Sequence, residues 1–174
     1  MATSFLIGTI SGVLSGIIAS FIVQLVVYLS KPSIIISDNI AKQNGPDGPE
    51  YRIKIVNKSK FYAKDLSIQV NIMNRENIVN GNLLSAKPLS LVRKDISYIE
   101  PFDKKDEDTK YAIRVRINAD LEETWKNDRT DYVEIKVFCT NELTGAGKVF
   151  SKEYKRKVLI KDGEFEAGTS MSIT

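Results

Sequence analysis

The sequence predicts an all-β domain, an antiparallel sandwich of about seven or eight strands, preceded by a single N-terminal transmembrane helix. Three observations carry this. Residues 1–30 contain none of the chain's 25 basic and 22 acidic residues. From residue 31 onward, apolar and polar residues alternate with the period of half-buried strands. Between these runs fall clusters of Gly, Asn, Asp and Pro, the residues that set turns.

The helix comes first. Ser4 to Leu29 reads SFLIGTISGVLSGIIASFIVQLVVYL, without a charge or a proline. As a helix it would be about 39 Å long, enough to cross about 30 Å of hydrocarbon with some tilt. A lipid interior imposes helix here, because every backbone N–H and C=O must be satisfied within the segment. Lys31 and Pro32 end it, and Tyr28 sits where an interfacial aromatic belongs. A cleaved signal peptide fits less well, since no Lys or Arg precedes the run and the run exceeds an h-region of about 7–15 residues. A buried core helix would be unusually long and uniformly uncharged for a small domain. Lys31 and Lys42 follow the span, so the positive-inside tendency places the N-terminus outside and the rest in the cytoplasm of an inner (plasma) membrane. The single Cys agrees with a reducing compartment. Asn57-Lys58-Ser59 matches a glycosylation sequon and is read as a turn.

Within the span, Gly8, Gly12, Gly16 and Ser20 recur every four residues, and Gln24 continues the series. Ser11, Ser15 and Ala19 run beside them. This spacing lines small residues along one helix stripe, where another backbone can approach closely. A single span has no second helix in its own chain to pack against, so the stripe predicts a homo-oligomer. A ring of Gln24 amides would satisfy one another; the competing reading is an interfacial residue.

Strands follow. Leu66, Ile68, Val70 and Ile72 alternate with polar residues, as do Tyr111–Ile117 and Val133–Cys139. Shorter candidates are Ile34–Ser37, Tyr51–Asn57, Leu89–Arg93, Ile96–Ile99 and Lys148–Ile160, the last long enough to bend or divide. Turn signals lie at 44–49, Asn80-Gly81, 144–147 and Asp162-Gly163, and one short helix is expected at Asp120–Asn127. The organisation is therefore a span at 1–30, a domain at 31–168 and a flexible tail at 169–174. Cys139 falls on an apolar strand face and reads as a core thiol.

The stretch YRIKIVNKSKFYAKDLSIQVNIMN resembles the early strands of immunoglobulin-like and fibronectin-like sandwiches. VEIKVFCTNELTGAGKVFSKEYKRKVLIKDGEFEAG resembles the closing hairpin of small bacterial membrane-anchored proteins that carry such a domain. The resemblance covers most of residues 33–168, lacks the Cys…Trp…Cys spacing of antibody domains, and implies an immunoglobulin-like fold without implying a function.

Chemistry is sparsely marked. With no His and one Cys, the usual zinc sites and histidine-based catalysis are excluded. No nucleophile elbow, Walker loop or paired-Cys motif occurs, so neither an enzyme nor a cofactor is expected. The net charge of +3 is too small to indicate direct nucleic-acid binding. Asp103, Asp106, Glu107 and Asp108 interleave with lysines, and a solvated loop is favoured over calcium ligation. Arg114 and Arg116 share a strand face, while Lys155 and Arg156 belong to a basic cluster in the last long strand. These four are the candidate ligand residues, suited to a phosphate such as a nucleotide second messenger, to anionic lipid or to a cytosolic protein. A solvated, charge-balanced sheet face is the bland alternative. Two functions fit. One is a membrane effector resembling small bacterial anti-phage defence proteins, with conditional membrane disruption. The other is a membrane anchor or adaptor that recruits a soluble protein.

Overall fold

The computed structural model describes residues 2–46, 48–127 and 129–174, with side chains from residue 7 onward; Asp47, one of the expected turn residues, lies outside this set. The chain is mostly β, arranged as two sheets behind one long apolar N-terminal helix. Helix α1 (Ala2–Leu29) runs through the whole uncharged segment. Its Ile7–Leu29 portion is long and apolar enough to cross a membrane, with a mean hydropathy of 2.2 and no burial by the rest of the chain. Four residues separate it from the first strand, and two of them, Ser30 and Pro32, are buried. Ser30 Oγ donates to the Val26 carbonyl at 2.7 Å, closing the last helical turn.

The first sheet contains β1 (Ile34–Ile36), β2 (Ile40–Gly45), β3 (Gly48–Asn57), β7 (Ala112–Ile117) and β10 (Ile160–Asp162). One edge of β3 pairs with β7 through Tyr51↔Ile117 to Val56↔Ala112. Its other edge takes β1 at Ile34↔Asn57 and β2 at Ala41↔Arg52, so β1 and β2 act as one strand interrupted at Ser37–Asn39. The second sheet contains β4 (Ala63–Ile78), β5 (Gly81–Pro88), β6 (Asp95–Ile99), β8 (Asp131–Asn141) and β9 (Gly147–Tyr154). Here β4 pairs with β8 along one edge and with β6 and then β5 along the other, while β9 flanks β8.

The alternation seen in the sequence is the alternation of burial. Along β8, Val133, Ile135, Val137 and Cys139 point inward while Tyr132, Glu134, Lys136 and Phe138 do not. These inward residues meet Ile53, Ile55, Leu66, Ile68 and Val70 in a core drawn from both sheets. Each fully buried aliphatic side chain contributes about 1.5–3 kcal/mol. Trp125 and Tyr154 are fully buried, and each places its polar atom on a carbonyl: Trp125 Nε1 on Asp131 at 3.0 Å and Tyr154 Oη on Ser37 at 2.8 Å.

Several elements differ from expectation. Among the described residues there are ten strands. β2 and β5 were not expected, because β2 carries only Ile40 and Ala41 as apolar residues and all eight residues of β5 are exposed. Leu89–Arg93 is not a strand: it is tied by the isolated bridge Leu91↔Ile117 and by single backbone bonds such as Leu89 N to the Val70 carbonyl. Lys148–Ile160 divides: β9 ends at Tyr154, a 3-10 turn follows at Lys157–Leu159, and β10 crosses to pair in parallel with β2. That parallel pair departs from a wholly antiparallel arrangement. The short helix α2 (Leu121–Thr124) forms where expected, capped by Asp120 Oδ1 on the N–H groups of Glu122 and Glu123. The segment expected as a flexible tail folds back on residues 164–166, with reciprocal bonds between Glu164 and Thr174 and a Phe165↔Ile173 bridge.

Candidate functional site

Two places match the functional residues read from the sequence. The first is the small-residue stripe of α1. Gly8, Gly12, Gly16, Ser20 and Gln24 are all exposed along one side of the helix. A methyl group built on Gly8, Gly12 or Gly16 meets nothing within 4 Å. Among the described residues nothing therefore requires glycine there, although each glycine costs a helix about 1 kcal/mol relative to alanine in water. Ser20 Oγ donates to the Gly16 carbonyl at 2.9 Å and Ser15 Oγ to Ser11 at 2.8 Å. Both hydroxyls thus satisfy themselves on their own helix and leave the stripe smooth. Gly16, Ser20 and Gln24 line a shallow groove with Val13, Ile17 and Phe21.

The second place is the outward face of the first sheet. Register sets Arg52 opposite Arg116 and Lys54 opposite Arg114. Four like charges across two strands destabilise unless counter-groups meet them. Glu50 meets two, accepting from Arg52 Nη2 and Arg116 Nη1, each at 2.7 Å. The Arg52 hydrogen bond, assisted by Arg116, holds the Glu50 carboxyl below the usual carboxylate range. The other two are met by main chain. Lys54 Nζ donates to the carbonyls of Glu166 and Ser170 at 2.5 and 2.8 Å, and Arg114 Nη2 to Phe165 at 2.7 Å. Lys54 is 1% exposed, and burial together with Arg114 holds its ammonium below the ordinary lysine value. Arg52, Lys54 and Arg114 border a cleft of about 320 Å³ with Asp108, Thr109 and Ala112.

Arg114 and Arg116 therefore share a face, but Lys155 and Arg156 do not join them. Both follow β9, which runs beside β1, whereas β7 lies across β3 from β1. Lys155 pairs with Glu153 at 3.1 Å, and Arg156 leads into the 3-10 turn. Sequence reasoning did not single out Arg52, Lys54 or Glu50. The signal was the alternation of YRIKIV, whose polar positions meet those of β7 once the strands pair.

The acidic loop caps itself. Asp103 accepts from Lys105 N, and Asp106 from Asp108 N and Lys110 N. Among the described residues, no group of His, Cys, Asp and Glu is arranged to hold a metal ion. The Cys139 thiol is buried and its pKa is pushed up to about 11. Asn57 is fully buried, its Nδ2 donating to the carbonyls of Phe61, Ile99 and Glu100. The sequon asparagine is thus a structural turn residue. No protein-family model matches the chain, and no curated protein matches it.

Proposed function

We propose that this is an oligomeric single-pass membrane protein that presents a cytosolic, immunoglobulin-like β-sandwich as a binding module. The single observation that carries the reading is the glycine stripe of α1. Its glycines face open space among the described residues and cost helix stability, and close approach of a second copy gives them a role. Support for the immunoglobulin-like fold comes from the pairings β3–β7, β4–β8 and β8–β9, which join B to E, C to F and F to G in such domains. Support for the cytosolic side comes from Lys31 directly after the helix and from the unpaired, buried Cys139.

The module acts by binding, not catalysis, and recruits a cytosolic protein or takes a phosphate-bearing ligand at the Arg52–Lys54–Arg114 cleft. Conditional membrane disruption is the weaker reading. A water-lined pore needs a broad polar surface, and α1 offers one narrow stripe whose Ser15 and Ser20 hydroxyls already bond their own helix. The test is the mass of the detergent-solubilised full chain by light scattering. The native chain should be a discrete oligomer, and Gly12→Leu with Gly16→Leu should yield monomer. An unchanged oligomer in the double variant overturns the reading.

A further inference from the structure

We propose that the end of the β domain nearest α1 is a membrane-docking face, resting on the lipid headgroups of the bilayer that α1 enters. The inference rests on α1 spanning that bilayer. Its geometry comes from the connection. Only Ser30–Ser33 join the helix to β1, and four extended residues reach at most about 14 Å. Buried Ser30 and Pro32 shorten the effective tether further. The headgroup layer beyond the hydrocarbon is about 5–8 Å deep, so whatever lies at that end of the domain is held against it.

Hydrogen bonds show what lies there. Lys58 N donates to the Ser33 carbonyl at 2.7 Å, Phe102 N to Ser59 at 3.0 Å, and Glu142 N to Tyr62 at 3.4 Å. The loops at 58–62, 100–111 and 142–146 are thereby gathered around the start of β1. They carry interfacial side chains: Lys58, with its Nζ 4.7 Å over the Phe102 ring, exposed Lys60, Tyr62 stacked edge-on against exposed Tyr98, and Leu143, which is 62% exposed at a hairpin tip. Lys31, 4.8 Å over the Tyr28 ring, repeats the same pairing at the end of α1. Aromatic rings and lysine stems with wet heads are the chemistry of the membrane interface. The acidic residues of the 103–108 loop offset the lysines, so the face suits a zwitterionic headgroup layer and does not depend on anionic lipid.

The opposite end of the domain is the internal control. β4 runs about 50 Å from Ala63 to Ile78, away from α1, and ends in the β4–β5 turn where Val79 is fully exposed. Leu143 and Val79 are thus exposed apolar residues at hairpin tips on opposite ends.

The full chain is reconstituted in phosphatidylcholine vesicles after Leu143→Cys, Val79→Cys or Phe21→Cys, each labelled with a nitrobenzoxadiazole dye; buried Cys139 is left unlabelled. Nitroxide-bearing lipids, with the spin label at headgroup depth or deep in the acyl chains, quench dyes that touch them. The expected result is headgroup-depth quenching at position 143 at least three times that at 79, with deep quenching at 21. Deep quenching at 21 with equal values at 143 and 79 overturns the docking face and leaves the span intact. Absence of quenching at 21 overturns the span and the docking face together.

Discussion

Isoleucine meets opposite surroundings in the two parts of this molecule. Ile53 and Ile135 in the β domain are fully buried, whereas Ile17 and Ile18 in α1 are about half exposed and Phe21 is 68% exposed. The domain solves its burial problem alone, by closing two sheets on one core. Among the described residues the helix finds no such closure: its apolar surface stays exposed and its glycines face open space. The same division holds for polar groups. Glu50 and two carbonyl-lined corners meet the sheet's cations, while Gln24 on the helix remains exposed. The domain is thus a finished fold, whereas α1 keeps its apolar surface outside it.

That contrast can be broken at its strongest point. Trp125→Ala removes the largest fully buried side chain and should cost the domain about 3–5 kcal/mol in urea unfolding. The proposed α1-held oligomer should persist in this variant; its loss would show that the domain, and not the helix, joins the copies.

Smaller effects sharpen the account of the basic face. Arg114→Ala leaves the Phe165 carbonyl without its donor and should cost about 1–3 kcal/mol, with faster proteolysis at residues 164–174. Arg116→Ala, in a half-exposed pair with Glu50, should cost about 0–1 kcal/mol. Equal costs would mean that the carbonyl clamp does not anchor the C-terminal hairpin.

A separate effect, confined to alkaline pH, is a slope in stability. Burial raises the folded Cys139 thiol to about 11, above its value of 9.0 in the open chain. Between those values the unfolded chain releases a proton that the folded one retains, so stability falls as pH rises from about 9 toward 11. Cys139→Ala should flatten that part of the stability–pH curve, and an identical slope in the variant would assign it to other groups.

What could be read in advance follows from which forces leave a mark on local pattern. β4, β7 and β8 were legible because each has one face in the core, and α1 because its segment is long, apolar and without a charge. β5 was not, since all its residues are exposed and no alternation arises. Lys54 looked like any outward residue of β3. Its ammonium is held by the Glu166 and Ser170 carbonyls, main-chain groups that no side-chain pattern marks. Arg114 and Arg116 were legible as neighbours on one face. Their distance from Lys155 and Arg156 was not, because the order of strands in a sheet is set by long-range pairing that no local window contains.

The central claim is that α1 meets copies of itself along its glycine stripe. Single cysteines placed along α1 in a Cys139→Ala background, oxidised in native membranes, test it directly. Disulfide-linked dimers should form at positions 12, 16 and 20 and fall several-fold at 14, 18 and 22. Uniform crosslinking along the helix, or a maximum at 14, 18 and 22, would contradict it.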